Sequence, residues 1–258
     1  MRRSLFTTRG EVFVIAVYFA VAMTSILLTR NSAGSSLLWP ANAITAAFLV
    51  RLPAVRWGRV FVGVLCSGVL ANVLGAHDAP LGSLAMASVD LLDVGLTACL
   101  FRFYARLPFP NITVVSGLQL LALVGIAIPA VVALAGAAAV SLTFGTSFWP
   151  DAANWYTATA AGAILCAPSI YLYSSKALQR LVAPEARTWN LLLAIVSLVV
   201  TYCAIRYARF PLVVLSIPLI VVAFQVGAFG AALMCELVGL LVVILWSTGV
   251  RPLGTPVA

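Results

Sequence analysis

The sequence predicts an all-α, polytopic integral membrane helix bundle with about nine transmembrane helices, within a range of eight to ten. Of the 258 residues, 63% are hydrophobic and only 9% are charged, whereas an ordinary soluble domain has roughly 25% charged residues. The mean hydropathy is +1.12, and the apolar stretches are continuous rather than alternating, which disfavours a β-barrel. This composition excludes a soluble globular protein, a disordered chain and a nucleic-acid-binding domain.

The predicted spans are continuous apolar runs joined by short loops. In chain order they are Val12–Thr29, Trp39–Val50, Val60–Leu74, Leu81–Phe103, Leu118–Phe144, Trp155–Tyr173, Leu191–Tyr207, Leu212–Phe224 and Ala228–Thr248. The first run is longer than the roughly 7–15-residue apolar core of a signal peptide, so we expect it to be retained. No stretch predicts a soluble domain, and we expect one transmembrane domain over residues 1–258, with its core at about 10–255.

The basic residues predict the orientation of the bundle, because Lys and Arg are enriched in cytoplasmic loops. With the amino terminus inside, 11 of the 15 basic residues fall in inside segments and four fall outside. The inside residues are Arg2, Arg3, Arg9, Arg51, Arg56, Arg59, Arg102, Arg106, Lys176, Arg180 and Arg187, and the outside residues are Arg30, Arg206, Arg209 and Arg251. We therefore expect a cytoplasmic amino terminus. Nine spans then leave residues 251–258 outside, unless a further helix follows.

Two acidic residues in the fourth span are the first candidates for a site. Asp90 and Asp93 are three residues apart and share a helix face with Ser83, Ala87 and Thr97. A charged side chain at mid-bilayer costs about 2.5–3.5 kcal/mol, so this polar stripe should face the protein interior. Two adjacent carboxylates in a low dielectric should not both ionise readily, and one is expected to hold a proton or a cationic partner. The pattern is consistent with a ligand, proton or cation site and with a structural hydrogen-bond cluster.

Four further residues complete the predicted ligand-binding set. Asn42 and Trp39 lie in the second span, Asn72 near the end of the third, and Glu236 in the ninth. Each polar side chain alone is more typical of contacts between helices than of ligand binding. Together with the two aspartates they are candidates to line one cavity.

Other polar features predict no catalysis. His77 is the single histidine, and no serine or cysteine is placed beside it to support hydrolysis. We expect His77-Asp78 to be a solvated loop, with a pH-sensitive lip of a site as the alternative. The five cysteines lie in apolar runs without a CxxC pair, so we expect no metal and no cofactor. Trp149-Pro150-Asp151 and Trp155 are typical of an aromatic anchor at the membrane interface.

Several short motifs, in order, resemble one bacterial family. The stretch Leu37-Leu38-Trp39-Pro40-Ala41-Asn42-Ala43-Ile44 resembles the "WPPsGiala" opening of the MASE1 domain, the first membrane-associated sensor domain of bacteria. The other motifs that are similar to the family are Arg56-Trp57-Gly58, Val60-Phe61-Val62-Gly63, Leu70-Ala71-Asn72, Ser88-Val89-Asp90-Leu91-Leu92-Asp93, Trp155 with Gly162 and Pro168, and Pro218-Leu219-Ile220 with Gly230-Ala231-Ala232. The resemblance covers about residues 10–255.

The resemblance implies a sensory input domain of the bacterial inner membrane that has no catalysis of its own. Such domains pass a stimulus to a cytoplasmic output module, such as a diguanylate cyclase, a phosphodiesterase or a histidine kinase, often through one more helix. The implied pathways are cyclic-di-GMP turnover and histidine kinase signalling, and a homodimer is a candidate assembly. One position departs from the family: the acid that often follows the tryptophan of the sixth span by about four residues is Thr159 here. We therefore expect ligand binding to differ if that acid takes part.

Two other functions remain as alternatives. The first is a small-solute or proton- or cation-coupled transporter, and helices broken by proline fit that class. Its candidate residues are Asp90, Asp93 and Glu236, with prolines at Pro129, Pro168 and Pro218. The absence of paired repeat halves in the sequence argues against it. The second is a membrane-embedded enzyme that acts on lipid. The lack of a nucleophile or metal cluster in the sequence makes this the least supported of the three hypotheses.

Overall fold

The computed structural model of the chain describes residues 8–30, 36–105 and 114–250, and these are almost entirely helical. The helices are α1 (Thr8–Thr29), α2 (Ala41–Arg51), α3 (Trp57–Ala71), α4 (Pro80–Ala105), α5 (Val114–Ala122), α6 (Ile128–Phe144), α7 (Phe148–Leu172), α8 (Ser175–Leu181), α9 (Pro184–Tyr207) and α10 (Pro211–Ser247). Within these ranges the β structure is one isolated bridge between Arg30 and Ser36. Of the basic residues used for orientation, Arg2, Arg3, Arg106 and Arg251 lie outside the described residues.

Six stretches of the described chain are long and apolar enough to cross a bilayer. They are Gly10–Thr29, Ala54–Ala76, Pro80–Tyr104, Leu118–Phe144, Pro184–Tyr207 and Val213–Ser247. Helix α2 is a shorter apolar helix, and α7 has 25 residues but carries more polar side chains. The chain is therefore a multi-pass helical membrane protein in contact with the lipid bilayer. The count of about nine spans stays a prediction.

Proline and glycine mark several helix ends. Pro80, Pro184 and Pro211 each open a helix, where the missing backbone N–H is not needed. Gly145 follows the last residue of α6 with a φ of 70°, and its N–H bonds back to the Ser141 carbonyl. The predicted fifth span is one apolar stretch, but a π turn at Leu123–Ala127 precedes Pro129. This wider turn accommodates the proline, which cannot donate to the preceding turn.

The chain divides into two compact units, Met1–Ala167 and Pro168–Ala258. In the first unit α4 is central, because it packs against α2, α3 and α6, while α1 packs against α2 and α3. The polar face of α4 is buried in this unit, whereas Leu84, Leu92 and Leu96 on its other faces are exposed. A single domain over residues 1–258 stays a prediction.

In the second unit α10 folds back on itself. Gly227 has a φ of 84° and a ψ of 176°, which interrupts the helix between the predicted eighth and ninth spans. Leu215 and Val222 before the turn share one buried cluster with Met234 and Val238 after it. Helix α10 is therefore a hairpin of two helices, and α9 packs against it.

We expect the substitution Gly227→Ala to lower the stability of this hairpin. The backbone at this position lies in a region that is accessible essentially only to glycine, so an added Cβ costs about 1–3 kcal/mol. The matched control is Gly58→Ala, because a Cβ at Gly58 meets no atom within 4 Å and its φ is not positive. Thermal unfolding of both variants in detergent micelles measures the difference. Equal melting temperatures would show that the turn is not strained by a side chain.

Candidate functional site

The chain between α1 and α2 passes deep into the first unit. The Trp39 N–H donates to the Ala158 carbonyl at 3.1 Å, and Ala158 lies about 15 Å along α7 from its first residue at 1.5 Å per residue. Non-helical backbone within the membrane is tolerated only where it is buried in protein or lines a water-filled cavity. Gly162 provides the space, because a Cβ there would collide with the Trp39 carbonyl and the Pro40 nitrogen. Helix α2 therefore begins inside the unit rather than at its end.

The start of α2 carries an asparagine that joins both aspartates of α4. Asn42 Nδ2 donates to Asp90 Oδ1 at 3.0 Å and to Asp93 Oδ2 at 2.8 Å. Its carbonyl oxygen accepts a hydrogen bond from Trp39 Nε1 at 3.2 Å, and Thr97 Oγ1 donates to Asp93 Oδ1 at 3.3 Å. The side chain of Asn42 thus uses both N–H groups and its oxygen. Trp39 orients the amide so that its two donors face the carboxylates.

Several contacts in the buried cluster stabilise negative charge on the two acids. Asn42, Asp90 and Asp93 are each at most 4% exposed. Since Asn42 is the second residue of α2, the amino-terminal end of the helix lies beside the carboxylates, where the helix dipole stabilises an anion. Hydrogen bonds to a carboxylate are also stronger than those between neutral groups. These contacts offset part of the free energy needed to bury the two acids.

A cavity of about 330 Å³ opens next to this cluster within the first unit. Its lining comes from the last turns of α1 and α6, the segment before α2, the turn after α3, the first half of α4, the turn before α7 and the first three turns of α7. Asp90 and Trp39 belong to the lining, whereas Asn42 and Asp93 do not. The polar cluster is therefore reachable from the cavity at Asp90.

Two further carboxylates line the same cavity. Arg30 Nη2 pairs with Asp78 Oδ1 at 3.1 Å, and Arg30 Nη1 donates to the Ala76 carbonyl at 2.7 Å. Thr146 Oγ1 donates to Asp151 at the first turn of α7. Asp78 is half-buried in the ion pair with Arg30, whereas its neighbour His77, expected to be a solvated loop residue, is exposed.

The structure brings most of the predicted site residues together. Four of the six form the hydrogen-bonded cluster, namely Trp39, Asn42, Asp90 and Asp93. Asn72 lines the cavity, and its Nδ2 donates to the Gly68 carbonyl of its own helix at 3.1 Å. Glu236 belongs to the second unit, where Ser169 Oγ donates a hydrogen bond to it.

The sequence interpretation missed the contribution of α7. Asp151, Trp155 and Thr159 all line the cavity. They are four residues apart, so they share one helix face, but we placed the start of the span at Trp155 rather than at Phe148. The four-residue spacing of these side chains could have predicted their shared face. We did not use it because we interpreted the tryptophans as interfacial anchors. Trp149 is 72% exposed, as an anchor should be, whereas Trp155 is in the cavity wall.

No metal centre is found in the described ranges: no group of three or more His, Cys, Asp or Glu side chains is placed to hold an ion. The absence of a cofactor stays a prediction.

Helices of membrane-spanning length, a backbone segment that re-enters the first unit and a cavity beside buried acids define a polytopic membrane domain with a ligand-sized pocket. The chain belongs to the MASE1 family, because the model of that family matches residues 11–255. MASE1 is a family of membrane-associated sensory domains, which supports a role as a membrane sensor. Comparison with curated proteins and with solved structures found no match.

Proposed function

We propose that the chain is an integral-membrane sensory input domain that binds an unidentified small ligand in the cavity beside Asp90. One observation carries the proposal: the cavity lining comes from helix ends that lie on one side of the first unit and stops at the Asn42–Asp90 contact. Glu11 and Arg56, which pair at 3.6 Å near the opposite ends of α1 and α3, are not in the lining. A pocket that is open on one side and ends at a buried polar cluster is more typical of a receptor than of a transport pathway.

Helix α2 is suited to relay binding across the first unit. Its first turn holds Asp90 through Asn42, and its last turn is held by Trp57, whose Nε1 donates to the Leu49 carbonyl at 2.9 Å. The guanidinium of Arg102 lies 5.4 Å from the centre of the Trp57 ring. A ligand that competes with Asn42 for Asp90 would favour a different position of α2. Such differential binding is what shifts a conformational equilibrium.

The proposal extends to location and partners. Membership of MASE1 and the distribution of basic residues support a bacterial inner-membrane domain with a cytoplasmic amino terminus and no catalytic activity of its own. The proposed partner is a cytoplasmic output module that makes or degrades cyclic-di-GMP, or a histidine kinase. A homodimer is part of the proposal, because sensor domains commonly signal as pairs.

We expect the double substitution Asp90→Leu and Asp93→Leu to abolish signalling while membrane insertion is kept. The apolar replacements remove the costly buried carboxylates, so insertion should not suffer. The variant replaces the chromosomal copy in the cell of origin, and its cyclic-di-GMP level and transcript profile are compared with those of a deletion strain. Glu185→Leu is the control, because Glu185 is an exposed carboxylate at the start of α9. A double variant that signals like the wild type would remove the acids from the mechanism.

A coupled transporter is the second candidate, and the re-entrant segment before α2 favours it, because transporters bind substrates at broken helices. Reconstitution of the full chain into proteoliposomes separates the two functions. The sensor proposal expects no solute uptake under a proton or sodium gradient. Uptake that Asp93→Asn abolishes would establish transport instead.

A further inference from the structure

The charges in the cavity wall are predominantly negative. Three carboxylates line it, those of Asp78, Asp90 and Asp151, against the guanidinium of Arg30. Arg30 is paired with Asp78, so that pair is neutral. Within residues 8–30, 36–105 and 114–250, neither Asp90 nor Asp151 forms an ion pair. The hydrogen-bond donors to Asp90 and Asp151, which include the Asn42 amide and the Thr146 hydroxyl, are neutral and supply no positive charge.

Aromatic rings form the other part of the wall. Trp39 and Trp155 both line the cavity, together with Phe144. Trp39 is held by its hydrogen bond to Asn42, and Trp155 packs closely against Gly136 of α6. Aromatic faces attract cations within about 6 Å, most strongly when the ring is that of tryptophan. Carboxylates beside fixed indole rings are the combination that recognises ammonium groups.

The size of the cavity distinguishes between kinds of cation. A volume of about 330 Å³ lies at the lower end of the range for small-molecule pockets. A metal ion needs several oxygen ligands at about 2–2.6 Å, and the described ranges contain no group of three or more His, Cys, Asp or Glu side chains placed to hold one. The space and the aromatic walls suit an organic cation better than a bare ion.

We infer that the ligand of this cavity is a small organic ammonium compound, held between the carboxylates of Asp90 and Asp151 and the indole rings of Trp39 and Trp155. The inference rests on the proposed function, because it names the chemical class that the sensor would detect. An ammonium group at Asp90 would compete with Asn42 for the carboxylate and so act on the first turn of α2.

Direct binding to the purified full chain in detergent micelles tests the inference. The probes are choline, tetraethylammonium and putrescine. Their comparators are 3,3-dimethylbutan-1-ol, which has the shape of choline without its charge, 3,3-dimethylbutanoate as an anion, and magnesium chloride. We expect at least one cation to bind, and choline to bind at least about tenfold more tightly than its neutral isostere. Equal binding of the neutral isostere, preference for the anion or for magnesium alone, or no binding by any of the three cations would overturn the inference.

Substitutions locate the binding within the cavity. Asp151→Asn should weaken cation binding about tenfold, and it leaves the Asn42 cluster intact, so loss of folding does not confuse the result. Trp155→Leu should weaken it similarly. The controls are Glu185→Gln and Trp149→Leu, which change an exposed acid and an exposed tryptophan outside the lining. Binding that both cavity variants leave unchanged would place the cation elsewhere and refute the proposed site.

The two proposals fail in different ways. If cations bind but the Asp90→Leu, Asp93→Leu double variant signals normally, sensing through the acids is wrong while the ligand class stands. If no cation binds but the double variant is silent, the sensory proposal stands and the ligand class is wrong.

Discussion

The substitution Gly162→Ala is expected to displace the Trp39–Pro40 peptide from α7 and to destabilise the first unit. The added Cβ would lie 2.5 Å from the Trp39 carbonyl carbon and 2.8 Å from the Pro40 nitrogen. Both are backbone atoms, which cannot rotate away as a side chain can, so the segment itself must move. Overpacking of this kind typically costs about 1–3 kcal/mol, more than the roughly 1 kcal/mol that alanine gains over glycine in a helix.

The matched control for this prediction is Gly95→Ala in α4. A Cβ at Gly95 has only Phe61 near it, at an ordinary contact distance of 3.8 Å, so this variant should be neutral or slightly more stable. Thermal unfolding in micelles compares the two proteins, and choline binding reports whether the cavity survives. If Gly162→Ala melts at the temperature of Gly95→Ala, the close approach of Trp39 to α7 is incorrect.

The substitution Asn42→Asp is expected to have the larger effect on the site. It keeps the shape of the side chain but replaces the NH2 group that bonds Asp90 and Asp93 with an oxygen, which creates a third carboxylate. Three carboxylates then face one another in a buried cluster without their donor. Leaving a buried charged group without its hydrogen-bond donor costs more than the roughly 1–3 kcal/mol of a neutral group, which is a large fraction of the stability of a typical protein. We expect poor accumulation and a much lower melting temperature.

Two further variants test whether the effect is specific to the cluster. Asn190→Asp is the control, and Asp90→Asn added to Asn42→Asp is the compensating change. In the described part of the chain, Asn190 Nδ2 donates to the neutral Leu181 carbonyl, at 2.8 Å, so its replacement should cost about 1 kcal/mol. Adding Asp90→Asn to Asn42→Asp returns an amide donor and two carboxylates to the cluster, and should recover most of the lost stability. A loss at Asn42 no greater than that at Asn190 would mean that the amide does not hold α2 to α4.

Both predictions concern the start of α2, a short helix that begins within the first unit. Gly162 admits the backbone before α2, and Asn42 in the first turn of α2 binds the acids of α4. Asp90 belongs both to the hydrogen-bonded cluster and to the cavity wall. A ligand that binds Asp90 would therefore also affect the stability of the contact between α2 and α4. The cation-binding experiment therefore tests the same cluster, through the face of Asp90 that lines the cavity.

Much of the helical architecture follows from the local sequence. Apolar runs of membrane length predict helices, and the structure has a helix at each predicted span, although α7 begins at Phe148 rather than at Trp155. The spacing of Asp90 and Asp93 predicts their shared face, because i and i+3 residues are neighbours on a helix. Such patterns extend over a few turns and depend little on the rest of the chain.

The composition and the short-range patterns alone determined that this protein is a helical membrane protein, and they identified its buried acids and the motifs of its family. Only the tertiary structure decided that Asn42 bonds acids 48 and 51 positions away, that Arg30 pairs with Asp78, and that α7 supplies Trp155 to the cavity. The physical reason is that the helical period relates residues within a few turns. Contacts between distant segments depend instead on how closely those segments can pack. Here the contact of Gly162 with the Trp39–Pro40 peptide sets the distance between α7 and the segment before α2.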